Sequence, residues 1–349
     1  IRETTGGKTF FKKSCDFLEK KLKARKVIIT NSCTASLEIA ALLIDVKPGD
    51  QIIMPSYTFV STANAFVLRG GRPVFIDIRK DNLNIDEKLI EKSITKKTKA
   101  IVVVHYAGVP CNMDKILRIG KKYNLFIIED AAQAIFSKYK NKYCGTLGDI
   151  GCLSFHETKN ITSCEGGAII LNKKSFDRKA SIICNKGTDR EYFNKSLKKY
   201  YSWFGLGSSY IPSEITCSIL YSQLLNYKKI MKEREKIWKN YSLFFKRIKT
   251  HLVETRETFS NKIKINHHMF YIICKNYNVR EKILSKLRKE NIFSTFHYIP
   301  LHKSIMGYKY YRGKLPVTES LSKNIIRLPL WTGIDQKIVF KKLKKILNV

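Results

Sequence analysis

Short apolar runs separated by longer amphipathic stretches set the pattern of the first two thirds of the chain. Val27-Ile-Ile-Thr30, Gln51-Ile-Ile-Met54, Pro73-Val-Phe-Ile-Asp77, Ala100-Ile-Val-Val-Val-His105, Leu125-Phe-Ile-Ile-Glu129 and Ala168-Ile-Ile-Leu171 are strand-sized and rich in β-branched residues, which suit a pleated, buried surface. Between several of them, Ser36 to Ile44 and Asp114 to Tyr123 read as helices. This alternation predicts an α/β fold, a mostly parallel sheet covered by helices on both faces. In such sheets ligands bind beyond the carboxyl ends of the strands.

From about Ser213 the texture changes. A long polar and aromatic helical pattern over Gln223 to Lys249 leads into a shorter α+β region. There His268-Met-Phe-Tyr-Ile-Ile-Cys274 reads as a strand, Arg280 to Glu290 as a helix, and a last helix follows Asp335. A chain of 349 residues exceeds what one core ordinarily supports. Two closely packed units are therefore expected, a large α/β domain over 1–225 and a smaller α+β domain over 226–349, with no repeat or proline-rich linker between them.

No apolar run reaches the length needed to cross a bilayer, and Ile1-Arg-Glu-Thr-Thr-Gly-Gly7 lacks the apolar stretch of a signal peptide. Nine scattered cysteines, odd in number and without a C-x-x-C pair, predict free thiols in a reducing cytosol rather than a disulfide frame or a zinc site. The net charge of +36 would suit a nucleic-acid binder. The lysines, however, are spread over most of the chain and accompany many Ile and Asn, with no aromatic-interleaved basic stripe. The expectation is a solvated basic surface and no nucleic-acid partner, with a field that would still draw an anionic substrate.

Three segments carry candidate chemistry. Asn31-Ser-Cys-Thr34-Ala35-Ser36 follows the first strand and opens a helix, where free N–H groups bind phosphate well, although the same residue types serve as a plain cap. Asp130 ends an apolar strand, with Gln133 three residues on, and either Asp130 or Glu129 could instead cap a following helix. Lys159 lies in the polar turn Ser154-Phe-His-Glu-Thr-Lys-Asn160, ahead of Glu165-Gly-Gly167. A carboxylate at a strand end and a lysine in a polar turn suit an enzyme holding pyridoxal 5'-phosphate. The acid keeps the pyridine nitrogen protonated and the lysine carries the aldehyde as a Schiff base.

The order of these segments, with Pro55-Ser-Tyr-Thr-Phe-Val-Ser-Thr62, Val104-His-Tyr-Ala-Gly108, Gly148-Asp-Ile-Gly151, Phe296-His-Tyr-Ile-Pro-Leu-His302 and Arg327-Leu-Pro-Leu330, resembles the sugar-nucleotide aminotransferases of the DegT/DnrJ/EryC1/StrS family. The resemblance covers nearly the whole chain. It implies a fold-type I pyridoxal phosphate enzyme, working as a homodimer with shared sites, that takes an amino group from L-glutamate to a dTDP-linked keto sugar. It implies Lys159 as the Schiff-base lysine, Asp130 as partner of the pyridine nitrogen and Gln133 beside the ring hydroxyl. Thr34, Ala35 and Ser154 correspond to the phosphate cradle, and Phe59 to the aromatic stacked on the ring, although a Phe in an apolar segment is ordinarily core. His156, His297, Tyr298 and His302 are candidates for substrate contact or for packing between the domains.

The chain departs from the family pattern in places. Cys164 stands where the family has glycine, and the turn from Lys159 to Glu165 is one residue short, which raises a degenerate, non-catalytic member as an alternative. The stretch from His251 to His267 is short, as for a trimmed surface loop. Ser209 and Tyr210 lie where many relatives place an asparagine that reaches the neighbouring subunit's phosphate. Related dehydratases replace the cofactor lysine with histidine, and Lys159 argues against that activity. Another keto-sugar-nucleotide aminotransferase remains the nearest rival.

Overall fold

The computed structural model describes residues 7–191, 199–248, 250–256 and 260–348. Its centre is a seven-stranded sheet in the order β1-β9-β8-β5-β4-β2-β3. These strands are β1 (Val27–Thr30), β2 (Gln51–Pro55), β3 (Arg72–Ile76), β4 (Thr98–Val104), β5 (Phe126–Asp130), β8 (Ile150–Ser154) and β9 (Gly167–Leu171). The pairs among β3, β2, β4, β5 and β8 are parallel, and only β9 runs against its neighbours. Central strands of such a sheet are covered on both faces, which is why Ala100, Ile101, Val102 and Val103 in β4 are fully buried.

Helices α1 (Thr9–Leu22), α2 (Cys33–Leu43), α3 (Val60–Val67), α4 (Glu87–Ile90), α5 (Met113–Lys122) and α6 (Asp177–Cys184) belong to this part, with α7 (Glu214–Leu225) closing it. Helix α2 packs on β8, β9 and α3, so its N-terminus is fixed beside the carboxyl ends of the parallel strands. At the start of α1 the Glu214 carboxylate accepts from the N–H groups of Lys8, Phe10 and Phe11 at 2.8, 2.6 and 3.3 Å. One acid on α7 thus satisfies donors that a helix start leaves free.

The chain continues through α8 (Tyr227–Arg247) into a three-stranded antiparallel sheet, β10 (Val253–Thr255), β12 (Phe270–Cys274) and β13 (Ile325–Leu328), in the order β10-β12-β13. Helices α9 (Tyr277–Lys289), α10 (Pro316–Asn324) and α11 (Gln336–Leu347) accompany it. Its core is aromatic, with the rings of Phe244 and Phe340 stacked at 4.6 Å and Tyr241 on Phe270 at 5.2 Å. Strand β11 (Ile263–Lys264) pairs with the hairpin β6 (Lys138–Tyr139) and β7 (Lys142–Tyr143), joining the late chain to the early one. Residues 257–259, within the short stretch between His251 and His267, lie outside the described residues.

Two features differ from the sequence expectation. Strand β8 was not foreseen, yet it is central, between β9 and β5. Its Gly151 belongs there because a Cβ would meet the backbone of Gly145 at 2.2–2.7 Å. The helix expected over 223–249 is two helices broken at Asn226, whose side chain donates to Ser222 O at 2.9 Å and closes α7; Lys249 is outside the described residues. No helix among the described residues is long and apolar enough to cross a membrane.

Candidate active site

The carboxyl ends of β4, β5 and β8, the N-termini of α2 and α3, the loop holding His297 and Tyr298, and Arg327 of β13 enclose one cavity of about 310 Å³. That size lies at the lower end of the roughly 300–1,000 Å³ usual for ligand sites. A larger surface hollow of about 500 Å³ lies around Arg69, Arg178 and Phe204 and contains none of the candidate residues.

Asp130 and Glu129 are neighbours on β5 with separate tasks, because alternate residues of a strand face opposite ways. Glu129 is fully buried and accepts from the N–H groups of Gly145, Leu147 and Gly148 at 2.8, 2.7 and 2.6 Å and pairs with His105 Nε2 at 2.9 Å. Asp130 lines the cavity, and its carboxylate is oriented by Thr62 Oγ1 at 2.7 Å and Ala132 N at 3.1 Å. Thr62 is itself in contact with Thr58 Oγ1 at 2.7 Å. No helix begins between Ala131 and Ser137, so the capping alternative is corrected: Glu129 ties down a loop and Asp130 points at the cavity.

Lys159 also lines the cavity. Its turn leaves β8 at Ser154 and re-enters the sheet at Gly167, which pairs with Ser154. The turn is closed by Phe155 N to Gly166 O and Ser163 N to Phe155 O, both 2.8 Å. Buried Phe155 and Ile161 anchor it from below. Beside the lysine, Asn160 Nδ2 donates to Asn266 O at 2.8 Å, and Asn160 Oδ1 lies 2.8 Å from His268 Nδ1. Asn266 Nδ2 in turn donates to Gln133 O and Ile135 O at 2.9 and 3.0 Å, so one buried segment fixes both the Lys159 turn and the loop after Asp130. Burial holds the Lys159 amine below the usual lysine range, opposed by nearby Cys33 and Asp130.

Cys164 adopts a left-handed backbone, φ 67°, in this same turn and is exposed. A non-glycine residue there costs roughly 1–2 kcal/mol, and glycine would lose part of that gain, about 0.5–1 kcal/mol, to its freer unfolded chain. Cys164→Gly is therefore expected to raise stability by up to about 1 kcal/mol. A urea unfolding curve checks this, with a higher midpoint at unchanged slope as the expected result.

Thr34, Phe59, Gln133, Ser154, His156, His297 and Tyr298 line the cavity with Asp130 and Lys159. The N-terminus of α2 faces it through Ser32, Cys33 and Thr34, and Thr34 Oγ1 is 2.8 Å from Ser61 Oγ. Ala35 is not on the wall; its N–H is taken by Ser32 Oγ at 3.0 Å in an ordinary cap. Phe59 is 53% exposed, which removes the reading of it as core, and its ring lies 6.0 Å from that of Tyr298. Gln133 Nε2 donates to Tyr298 Oη at 2.9 Å, while its Oε1 accepts from Ala107 N at 2.7 Å. The carbonyl of His297 accepts from the hydroxyls of Tyr57 and Tyr106, fixing that wall.

His302 is placed elsewhere. It is buried, with Ser56 Oγ 2.6 Å from Nδ1 and Glu319 Oε1 3.2 Å from Nε2, and fastens its own turn to the end of β2. Substrate contact is thus corrected to packing for this residue. Ser209 and Tyr210 hold Asn31 through their carbonyls, at 3.0 and 2.9 Å, and are not on the cavity wall. Sequence reasoning gave no role to Thr62 or Arg327. Both stood inside quoted motifs, Thr62 at the end of Pro55 to Thr62 and Arg327 at the start of Arg327-Leu-Pro-Leu330, which were the signals that could have found them.

Comparisons with known proteins identify the family and the fold. The model of the DegT/DnrJ/EryC1/StrS aminotransferase family matches residues 8–344. An uncharacterized protein of Methanocaldococcus jannaschii is 35% identical over 92% of this chain and 86% of its own. GDP-perosamine synthase of Escherichia coli O157:H7 is 30% identical over 88% and 80%. Among solved structures, Helicobacter pylori PseC, an aminotransferase involved in the biosynthesis of pseudoaminic acid, is 26% identical with a TM-score of 0.90, over 99% of this chain and 93% of that one. Members of the family are pyridoxal phosphate enzymes, and solved structures with this fold include pyridoxal phosphate and pyridoxamine phosphate forms. The fold is that of the fold-type I aminotransferases, and the chain belongs to the DegT/DnrJ/EryC1/StrS aminotransferase family.

Proposed function

We propose that the chain transfers the amino group of L-glutamate, through pyridoxal 5'-phosphate, to a nucleotide-linked keto sugar. The acceptor in this reading is dTDP-4-dehydro-6-deoxy-D-glucose and the product dTDP-4-amino-4,6-dideoxy-D-galactose, a building block of surface polysaccharides such as enterobacterial common antigen. The supporting observation is the meeting in one cavity of a lysine kept below its ordinary pKa and an aspartate oriented by Thr62.

The residues present fit the cofactor. Asp130 offers a carboxylate to a protonated ring nitrogen, the first turn of α2 with Thr34 and Ser154 offers donors to a phosphate, and Phe59 offers an aromatic face. When bound, the cofactor supplies an electron sink for the bond broken at the amino-acid carbon. Lys159 serves as the nucleophile that holds the cofactor and, once released, as the base and acid that takes and returns the proton of the reacting carbon. Its depressed pKa keeps more of the amine neutral near pH 7 than an exposed lysine would have. Asp130, oriented by Thr62 and Ala132, would offer its carboxylate to the ring nitrogen, and Tyr298 and Phe59 narrow access for water.

Residues 1–225 then form the cofactor-binding domain and 226–349 the smaller one, meeting at the Asn226 break. A homodimer with shared sites is supported by the exposed apolar side chains Trp203, Leu206 and Val60 and by exposed Phe59 on the cavity wall. Sedimentation is expected to give twice the 40.4 kDa chain mass, and a species of single mass would contradict it.

The 30% identity to GDP-perosamine synthase favours one second reading, a GDP-linked 4-keto sugar acceptor. Incubating the holoenzyme with L-glutamate and either nucleotide sugar, with the product identified by NMR, separates them. Amination of the dTDP sugar at C4 is the expected result; turnover of the GDP sugar alone, or of neither, would overturn the proposed acceptor.

A further inference from the structure

The turn that carries Lys159 is tied to the rest of the molecule at one side chain. Among the described residues, every hydrogen bond that residues 156–163 make outside the stretch from Ser154 to Gly167 is made by Asn160. Asn160 is buried, and its partners fix which way the amide lies. Nδ2 faces Asn266 O at 2.8 Å and Met231 Sδ at 3.7 Å, and both of these only accept. Oδ1 therefore faces His268 Nδ1 at 2.8 Å, and the network places the ring proton on that nitrogen. His268 is fully buried, and burial, then the charges of Lys159, Arg327 and Arg234, hold it well below the usual histidine range. Its ring is neutral, with a single N–H. Its backbone is clamped as well: the N–H donates to Asn266 Oδ1 at 3.1 Å, and the carbonyl accepts from Arg234 of α8 at 2.6 Å. Strand β12 begins just beyond, at Phe270. A strand end of the smaller unit is thus linked, through two side chains, to the residue next to Lys159. A neutral donor suits this place, since a cation would repel the lysine amine and an apolar residue would leave Asn160 Oδ1 buried without a donor.

We infer that His268, acting through Asn160, is a positioning residue for Lys159 and sets where the amine stands beside Asp130. The inference rests on the transaminase reading above, in which that amine must reach the cofactor and then the reacting carbon. Lys159 Nζ donates to no side chain or carbonyl among the described residues, so its place follows from its backbone. Buried Phe155 and Ile161 hold the turn against the core, but apolar contact is non-directional. Direction comes from the hydrogen bonds of Asn160. A displacement of about 1 Å at a reacting group can cost on the order of 10²-fold in rate. His268 is not on the cavity wall, so its loss should slow the steps made by Lys159 and leave the binding of both substrates alone.

The test uses the full chain as wild type, His268→Leu, His268→Asn, Asn160→Ala and the double variant His268→Leu/Asn160→Ala. One readout is the rate at which cofactor-free protein develops the absorption band of lysine-linked cofactor at saturating pyridoxal phosphate. Tm, and kcat and KM of the holoenzyme, are measured beside it. His268→Leu is expected to slow both the band and kcat by on the order of 10²-fold at unchanged KM. His268→Asn, whose amide N–H can stand where Nδ1 stood, recovers most of both rates. The double variant is no slower than the slower single one, because both changes break the same link. Asn160→Ala reads that link from its other end, so the test holds if His268→Leu does not fold. A lowered Tm with band rate and kcat as in wild type would reduce His268 to a stabilising residue and overturn the assignment. Losses that multiply in the double variant, or no recovery in His268→Asn, would equally overturn it. A folded wild type that never develops the band brings down the transaminase reading and this assignment with it, whereas a wild-type band with unaltered rates in the variants removes the assignment alone.

Discussion

Lys159→Ala is expected to lower kcat by on the order of 10⁴-fold, the upper range for removing a positioned acid–base group, with the fold retained. The Nζ of Lys159 donates to no side chain or carbonyl among the described residues, so no structural hydrogen bond is lost. The neighbours that hold its turn, Asn160, Asn266 and His268, stay in place. Cofactor-free protein should report the same residue through stability. Burial lowers the folded-state pKa of Lys159 below its value in the unfolded chain, so the native state bears the full cost of charging it at low pH. That cost shrinks as pH rises from the lowered value and is gone above the ordinary lysine pKa. Lys159→Met should therefore unfold at higher denaturant than wild type near pH 7, with the gap closing toward about pH 10.4. A gap that widens with pH would contradict the burial of this amine, and a Lys159→Ala kcat within tenfold of wild type would remove it from the chemistry.

Asp130→Asn should cost about 10²–10³ in kcat and weaken cofactor binding, because the substitution keeps shape and removes the charge opposite the ring nitrogen. The neutral amide still accepts from Thr62 through one atom, but its NH₂ faces a donor where the carboxylate faced it with a lone pair. Thr62→Val tests the orientation separately. It removes one of the two hydrogen bonds that set the carboxylate and leaves the other, from Ala132, so a smaller loss is expected. Steady-state kcat with cofactor dissociation constants, measured on both variants, checks the order. Equal activity of Asp130→Asn and wild type would place the ring nitrogen elsewhere.

The β-branched runs that became β1, β2, β3, β4, β5 and β9 were legible because continuous apolar segments of that length suit a sheet buried on both faces. Strand β8 was not, because Gly151 interrupts its short apolar run Ile150-Gly-Cys-Leu153. Only the three-dimensional approach of the Gly145 backbone shows that the sheet needs a glycine there. The break at Asn226 escaped because a helical pattern runs through it and an asparagine cap is a single-residue signal. Asp130 and Lys159 were readable from their strand-end and turn settings, although their shared cavity depends on pairing between β5 and β8. His302 could not be separated from His297 by sequence, since both stand in one short motif. Burial and the partners Ser56 and Glu319 separate them. Thr62 and Arg327 come from segments remote from the lysine, and long-range packing alone brings them in.

Borohydride reduction of the holoenzyme, followed by digestion and mass spectrometry of the peptides, locates the cofactor's covalent attachment. One reduced cofactor mass on the peptide containing Lys159, and none on that peptide's Lys159→Ala counterpart, is the expected outcome. Label on another lysine, or no label on a folded protein that still binds pyridoxal phosphate, would contradict the assignment of Lys159.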